Sequence, residues 1–266
     1  MQWKEVRMRI LPVALAVVLG LAACAPTQPV VTAPSKVVPT YYEARTDSGP
    51  NGEPIEIKAV KTAYLNERTM RTTVPYNGPD APGTIVVDPY ARVLYYVQPG
   101  GMAERYGVAV GAAGKNFAGN GTIARKAAWP SWTPTQNMVS SQPELYGSLK
   151  GGMKGGPDNP LGSRALYLYQ GGRDTYYRIH GTLDPSSIGK ATSAGCIRMF
   201  NQDIIDLFDR VPNGTKVHVR TQSESVQYEG PVVESPEGYA LPANQTPAVT
   251  PVSATGVSPV ESAVQG

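Results

Sequence analysis

The sequence predicts a mainly β domain with short helices. Three observations carry that reading. Gly 28 and Pro 25 together make nearly a fifth of 266 residues, a loop-rich composition. Short apolar, β-branched and Tyr-rich runs recur between those Gly and Pro residues, as strands do between turns. Within the folded part, Asn201 to Val211 alone carries the apolar stripe of a good helix, on Ile204, Ile205, Leu207 and Phe208, with Asn201 as its expected cap.

The strands follow in order. Thr84-Ile85-Val86-Val87-Asp88 is the first, and the turn at Pro89-Tyr90-Ala91 leads to Arg92-Val93-Leu94-Tyr95-Tyr96-Val97. Pro99-Gly100-Gly101 closes that strand, and Tyr106 to Gly111 is the third. Ala165 to Tyr169 and Tyr176 to His180 are two more. Thr215 to Arg220 closes the domain, with Val217, His218 and Val219 alternating at period 2 and His218 expected toward solvent or a sheet face. The pattern reads as hairpins in an antiparallel or mixed sheet.

The flanks differ in kind. Residues 1–23 read as a lipoprotein signal peptide: Lys4, Arg7 and Arg9 precede an apolar run from Ile10 to Leu21, too short for the roughly 20 residues of a membrane span. The run ends in Leu21-Ala22-Ala23-Cys24, which resembles a bacterial lipobox, so Cys24 is the expected lipidation site and the chain is expected at a membrane through its lipid. Ala25 after it resembles lipoproteins sent to the outer membrane of Gram-negative bacteria, which places the protein in the periplasm, at the inner leaflet of that membrane. Residues 24–52 read as a Pro/Thr-rich tether, 53–82 as an extended arm, 83–220 as the folded domain and 221–266 as a disordered acidic tail. The five acids after Gln222 have no Lys or Arg within that tail.

Composition excludes several classes. With 24 Lys and Arg against 21 Asp and Glu, the formal charge is +3, and no clustered basic face marks a nucleic-acid binder. Only 17% of residues are charged and 41% hydrophobic, which fits neither a highly charged disordered chain nor a purely membrane protein. Tyr 15 against Phe 3 suggests wet aromatic surfaces. A zinc site needs about four ligands. Once Cys24 is lipidated the chain offers one Cys and two His, so no metal is expected.

The chemistry concentrates between Ile179 and Met199. His180 ends a strand, and Cys196 follows 16 residues later across a loop rich in Gly and Ser. A thiolate is the attacking species, and a Cys near a helix start and a cationic His has a lowered pKa. A His within reach takes the thiol proton and returns it to a leaving amine. The Gly181 carbonyl is placed to orient the ring, Arg198 to meet a substrate carboxylate or support an oxyanion, and the N–H groups around Gly195 and Cys196 to form an oxyanion hole. Plainer readings exist: a structural thiol for Cys196, a hydrogen-bonded surface role for His180, and an ion pair of Arg198 with Asp203.

The segment Ile179-His180-Gly181-Thr182, then Ser187 to Ala191, then Ser193-Ala194-Gly195-Cys196-Ile197-Arg198-Met199, closely resembles the L,D-transpeptidase catalytic domain of the YkuD type. The resemblance runs from about Gly83 to Arg220. Trp129-Pro130-Ser131-Trp132-Thr133-Pro134 and Gly155 to Gly162 resemble its Gram-negative branch. It implies a β-sandwich of the L,D-transpeptidase type, with Cys196 as nucleophile, His180 as base, Gly181 as the orienting carbonyl, and Ser193 and Arg198 shaping the site. Many members carry His where this chain has Ala194, so any second imidazole is missing. The implied reaction joins Cys196 to a peptidoglycan tetrapeptide stem at diaminopimelate, expels D-Ala, and passes the acyl group to an amine. That amine belongs to a second stem (a 3→3 cross-link) or to an outer-membrane protein. Water would make the protein an L,D-carboxypeptidase. No cofactor is needed, and acylation by carbapenems is implied. Trp129 and Trp132 are candidates for a substrate platform or lid, or plain loop anchors; Tyr146 and Met153 are candidate cleft residues. A non-catalytic wall-binding lipoprotein and a cysteine hydrolase of other peptides are the rival readings.

Overall fold

The computed structural model describes residues 38–111, 117–191 and 195–245. The signal peptide, Cys24, Ser193, Ala194 and residues 246–266 lie outside the described residues. The architecture is mainly β with short helices, as the sequence predicts.

The arm contributes β1 (Arg45–Ser48), β2 (Pro54–Ile57) and β3 (Thr72–Pro75). The domain begins with β4 (Ile85–Asp88), β5 (Val93–Gln98), β6 (Met102–Gly107), β7 (Ala109–Val110) and β8 (Gly119–Ala128). An insertion with helices α1 (Gln136–Ser141) and α2 (Pro143–Tyr146) leads to β9 (Arg164–Gln170) and β10 (Arg173–His180). Then come β11 (Ile197–Arg198), α3 (Asn201–Arg210), β12 (Lys216–Val219), α4 (Gln222–Glu229), β13 (Val232–Glu234) and β14 (Ala240–Pro242).

Ten strands form one sheet in the order β3-β6-β5-β4-β12-β8-β9-β10-β11-β7. Val108 alone separates β6, near one end of that order, from β7 at the other. One residue spans only a few Å, so the sheet rolls over until its ends meet. The roll encloses the core: Ile85, Leu94, Tyr106, Ile123, Leu166, Leu168, Ile179, Ile197 and Val217, closed by Ile204 and Leu207 of α3. Each such side chain contributes roughly 1.5–3 kcal/mol on burial. Turn chemistry sets the hairpins. Gly171 and Gly172, at φ 55° and 77°, link β9 to β10 as a two-residue turn that glycine takes without strain. Asp88 Oδ1 accepts from the Tyr90 and Ala91 N–H groups and shapes the β4–β5 turn.

β8 has no counterpart among the strands the sequence predicts, because only Ile123 of its ten residues is buried and it lacks an apolar run. The arm and tether boundaries also shift. β1 lies inside the expected tether, and β3 is an edge strand of the main sheet. Ile55 and Ile57 alternate inward onto Trp129 and Ile205. Asp47 of β1 is clamped by Arg164 at 2.6 and 3.0 Å and by the Trp129 Nε1–H at 2.9 Å. Burial raises the Asp47 pKa, but the Arg164 pairing outweighs it and the net shift is downward. Asp47→Ala leaves the Arg164 cation nearly buried without its partner. It is expected to cost about 3 kcal/mol, a fall of roughly 6–12 °C in Tm by calorimetry. A fall under 2 °C would mean that the hairpin docks by its isoleucines alone (about 1 kcal/mol or less for the pair).

The expected disordered tail is corrected up to Gln245. Thr221 and Glu224 form a reciprocal capping box that starts α4. Glu229 accepts from Arg220 at 2.9 Å and from the Tyr95 hydroxyl at 2.8 Å, and Glu234 pairs with Arg92 at 2.7 Å. Glu229 finds its cation in Arg220, just before the tail, and Glu234 finds its own in Arg92, 142 residues away, so the composition of the tail alone cannot show either pairing. Tyr239 pairs with Lys190, and Ala240 N–H donates to Gly189 O, so this segment braces the loop that leads from His180 to Cys196. A chain ending at Gly230 is expected to keep the Arg220–Glu229 pair yet show faster hydrogen exchange at Gly189 and Lys190. Unchanged exchange there would show that the loop stands without the brace.

Candidate active site

β10 and β11 pair in parallel, with Ile179 opposite Ile197 and His180 opposite Arg198. Ile179 and Ile197 point into the core. By the two-residue period of strands, His180 and Arg198 occupy the other face. Met199 N–H donates to His180 O at 2.8 Å and locks the register. Cys196 sits immediately before β11, where its sulfur accepts from the Arg178 backbone N–H. One short parallel pairing thus brings residues 16 apart in sequence to neighbouring strand ends. Gly195 holds φ 141°, a conformation that an L side chain would strain.

His180 is 4% exposed, and its Nδ1 lies 2.6 Å from Gly181 O. A carbonyl only accepts, so Nδ1 carries the proton and Nε2 is the basic nitrogen. Burial first, then the positive charges of Arg198 and Arg178, lower its pKa to about 4 against the pull of the Gly181 and Leu161 backbone bonds. Cys196 is half-buried, and its pKa is raised. Burial is the main cause, and the Arg178 N–H and the Arg178 and Arg198 charges only moderate it. The expected lowered thiol pKa is therefore corrected. The imidazole is neutral, not cationic, and α3 begins five residues beyond the thiol. Thiol and imidazole are each uncharged across the neutral pH range. A neutral thiol and a neutral imidazole within reach of one another can react by proton transfer during attack.

The other predicted residues separate. Trp132 and Met153 exchange backbone hydrogen bonds at 2.9 and 2.6 Å, and the Tyr146 ring meets Trp132 edge-on at 6.1 Å. These three half-buried residues form one patch of the insertion. Trp129 does not join them: it is 5% exposed, bonded to Asp47 and packed on Ile55, Ile57 and Ile205, so it anchors the arm. Arg198 is half-buried, and Asp203 instead meets the Tyr42 hydroxyl at 3.1 Å and Arg71 at 3.9 Å. His218 lies between Asp80 at 2.9 Å and Glu224 at 3.3 Å rather than facing open solvent. Asn201 does not cap α3, whose N-cap is Phe200; its amide is used elsewhere.

Sequence reasoning missed two neighbours. Tyr177 lies close enough to Cys196 for the thiol to add to the burial that raises its phenol pKa. Arg178 supplies both the N–H at the sulfur and a guanidinium stacked 4.4 Å over Tyr167. Its spacing of two before His180 was the available signal. Among the described residues, no group of three or more His, Cys, Asp or Glu is placed to hold a metal ion, and no helix is long and apolar enough to cross a membrane.

The profile of the YkuD family, the L,D-transpeptidase catalytic domain, matches residues 82–219, just over half of the chain. The chain belongs to the L,D-transpeptidase catalytic-domain family. It is similar to the probable L,D-transpeptidase ErfK/SrfK of Escherichia coli K12, 39% identical over 53% of this chain and 44% of the relative. The putative L,D-transpeptidase YkuD of Bacillus subtilis is 51% identical over 24% of this chain and 36% of the relative. The chain thus spans less than half the length of these curated relatives. A solved structure from Brucella melitensis, described as a probable carnitine operon oxidoreductase, is 51% identical, covers 57% of this chain and 94% of its own, and has a TM-score of 0.42. That likeness stays below a TM-score of 0.5, and family membership rests on the sequence match.

Proposed function

We propose that the protein is a cysteine acyltransferase acting on peptidoglycan tetrapeptide stems. The observation that carries this is the β10–β11 pairing, which sets a buried, Nδ1-protonated His180 beside the strand end bearing Cys196 in a chain of this family. Cys196 sulfur attacks the diaminopimelate carbonyl while its proton passes to His180 Nε2. The C–N bond to D-Ala then breaks as that proton moves to the leaving amine, giving a thioester. An acceptor amine attacks the thioester, gives its proton to His180, and releases the thiol with a new amide bond. The N–H groups around Gly195 and Cys196 take the oxyanion, Arg198 and Ser193 serve the substrate carboxylate, and Trp132, Tyr146 and Met153 form the substrate-side lid. The domain is read as 83–220, preceded by a signal peptide, a Cys24 lipid anchor and a tether. That arrangement suits a periplasmic lipoprotein at the inner leaflet of a Gram-negative outer membrane, with a second stem or an outer-membrane protein as acceptor.

The test is intact-mass and product analysis after incubation with purified tetrapeptide muropeptides. A thioester adduct having lost D-Ala, together with dimeric muropeptide, is the expected result. Tripeptide product alone would replace transfer by hydrolysis. Folded protein with neither adduct nor turnover would overturn the enzyme reading in favour of wall binding.

A further inference from the structure

The Asn201 side chain, expected as a helix cap, is occupied instead beside the end of β10 that carries His180. Its Nδ2 donates to Thr182 O at 3.0 Å, and its Oδ1 accepts from Ser163 N–H at 2.9 Å. Ser163 lies just before β9, and Thr182 lies two residues after His180. The amide therefore ties the start of β9 to the segment just after β10, the strand that ends in His180. Space for it comes from two glycines. A Cβ at either Gly162 or Gly181 would overlap Asn201 Oδ1, and Gly162 holds φ 63°. These glycines face one amide from both strand ends, which is a built niche rather than a chance contact.

The niche controls one carbonyl. Gly181 O receives the His180 Nδ1–H at 2.6 Å. The peptide carrying it is held on both sides: Gly181 N–H donates to Arg164 O at 3.1 Å, and Thr182 O is held by Asn201. We propose that Asn201 is a positioning residue that fixes the Gly181 carbonyl and through it the orientation and tautomer of His180. This rests on the reading of His180 as general base. Asn201 touches neither thiol nor substrate. It makes the proton-bearing Nδ1 side of the ring face the Gly181 carbonyl, which leaves Nε2 as the nitrogen without the proton. A carboxylate in its place would keep the acceptor for Ser163 but offer no donor to Thr182, so Asn and Asp are not equivalent there.

The test combines rate with a direct view of the ring. In wild type the buried Nδ1–H of His180 is expected as a downfield, slowly exchanging proton signal in 15N-histidine-labelled protein. With only two histidines in the chain, its loss in His180→Gln assigns it. Asn201→Ala and the isosteric Asn201→Asp are expected to shift that signal upfield or lose it to exchange. Both are expected to slow thioester formation about 10- to 100-fold, with KM within about twofold of wild type. The Asp variant keeps the niche filled, so it reports on the lost donor even if the Ala variant folds poorly. An unchanged Nδ1–H signal in Asn201→Asp, or an unchanged acylation rate beside an active wild type, overturns the proposal. If wild type forms no thioester, the catalytic reading falls by itself, and the signal alone decides: its loss in Asn201→Asp upholds the positioning, its persistence ends it.

Discussion

Cys196→Ala is expected to abolish thioester formation, lowering acyl transfer at least about 10⁴-fold, because the bond-forming atom is gone. Cys196→Ser is expected to retain the fold yet fall about 10³-fold, since a hydroxyl is a far weaker nucleophile beside a neutral imidazole. The half-buried thiol contributes little packing compared with Ile197 next to it, so both variants are expected within about 1 kcal/mol of wild-type stability. Single-turnover mass analysis reads the rate, and thermal unfolding reads the fold. Adduct on the Ala variant would move the nucleophile elsewhere. Loss of fold in both variants would make Cys196 a structural thiol.

His180→Gln is expected to slow acylation about 10²- to 10⁴-fold. The pH profile discriminates further. The base works only when neutral, and burial together with Arg198 and Arg178 sets its pKa at about 4. The rate is therefore expected to stay level from about pH 5.5 to 8 and to fall along an acid limb near pH 4. An acid limb near 6.5 would show an unperturbed imidazole and sink this account of the site. Stability follows the same group. The folded pKa lies below the unfolded value of 6.5, so the unfolded chain binds the extra proton between them. His180 thus favours the fold fully above pH 6.5, and this contribution, roughly 3 kcal/mol at most, is lost as pH falls toward 4. Asp203 runs the other way. Burial raises it to about 8, so its preference for the fold is full below 3.8 and lost as pH rises through 8. The difference between wild type and His180→Gln, measured by urea unfolding from pH 4 to 7, cancels Asp203 and isolates the histidine.

Much of the β framework was legible from local pattern. β4, β5, β9, β12 and α3 are apolar runs bounded by turn residues; β4, β5 and β9 are buried mostly on both faces, whereas β12 buries the alternate side chains its period selects and α3 buries its apolar stripe. β8 and β1 were not legible, because a strand that buries one Ile, or one fastened by Asp47 to Arg164, leaves no periodic mark. The tail misled for the same reason: its acids are uncompensated along the chain but matched through space by Arg92 and Arg220. At the site, His180, Gly181 and Cys196 were readable as chemistry and as a family pattern. Their electrostatics were not. A cationic His beside a lowered thiol follows from proximity alone, and burial reverses both shifts.

Residue type and spacing by themselves determined the fold class, the strand-end histidine, the cysteine after a glycine, and the family that holds them. Tertiary structure alone decided that Trp129 is an anchor, that Asn201 serves Thr182 and Ser163 instead of its own helix, and that burial lowers the His180 pKa and raises that of Cys196. The division has a physical cause. Propensity and period act over a few residues, whereas desolvation and long-range ion pairs depend on what the folded sheet brings within a few Å.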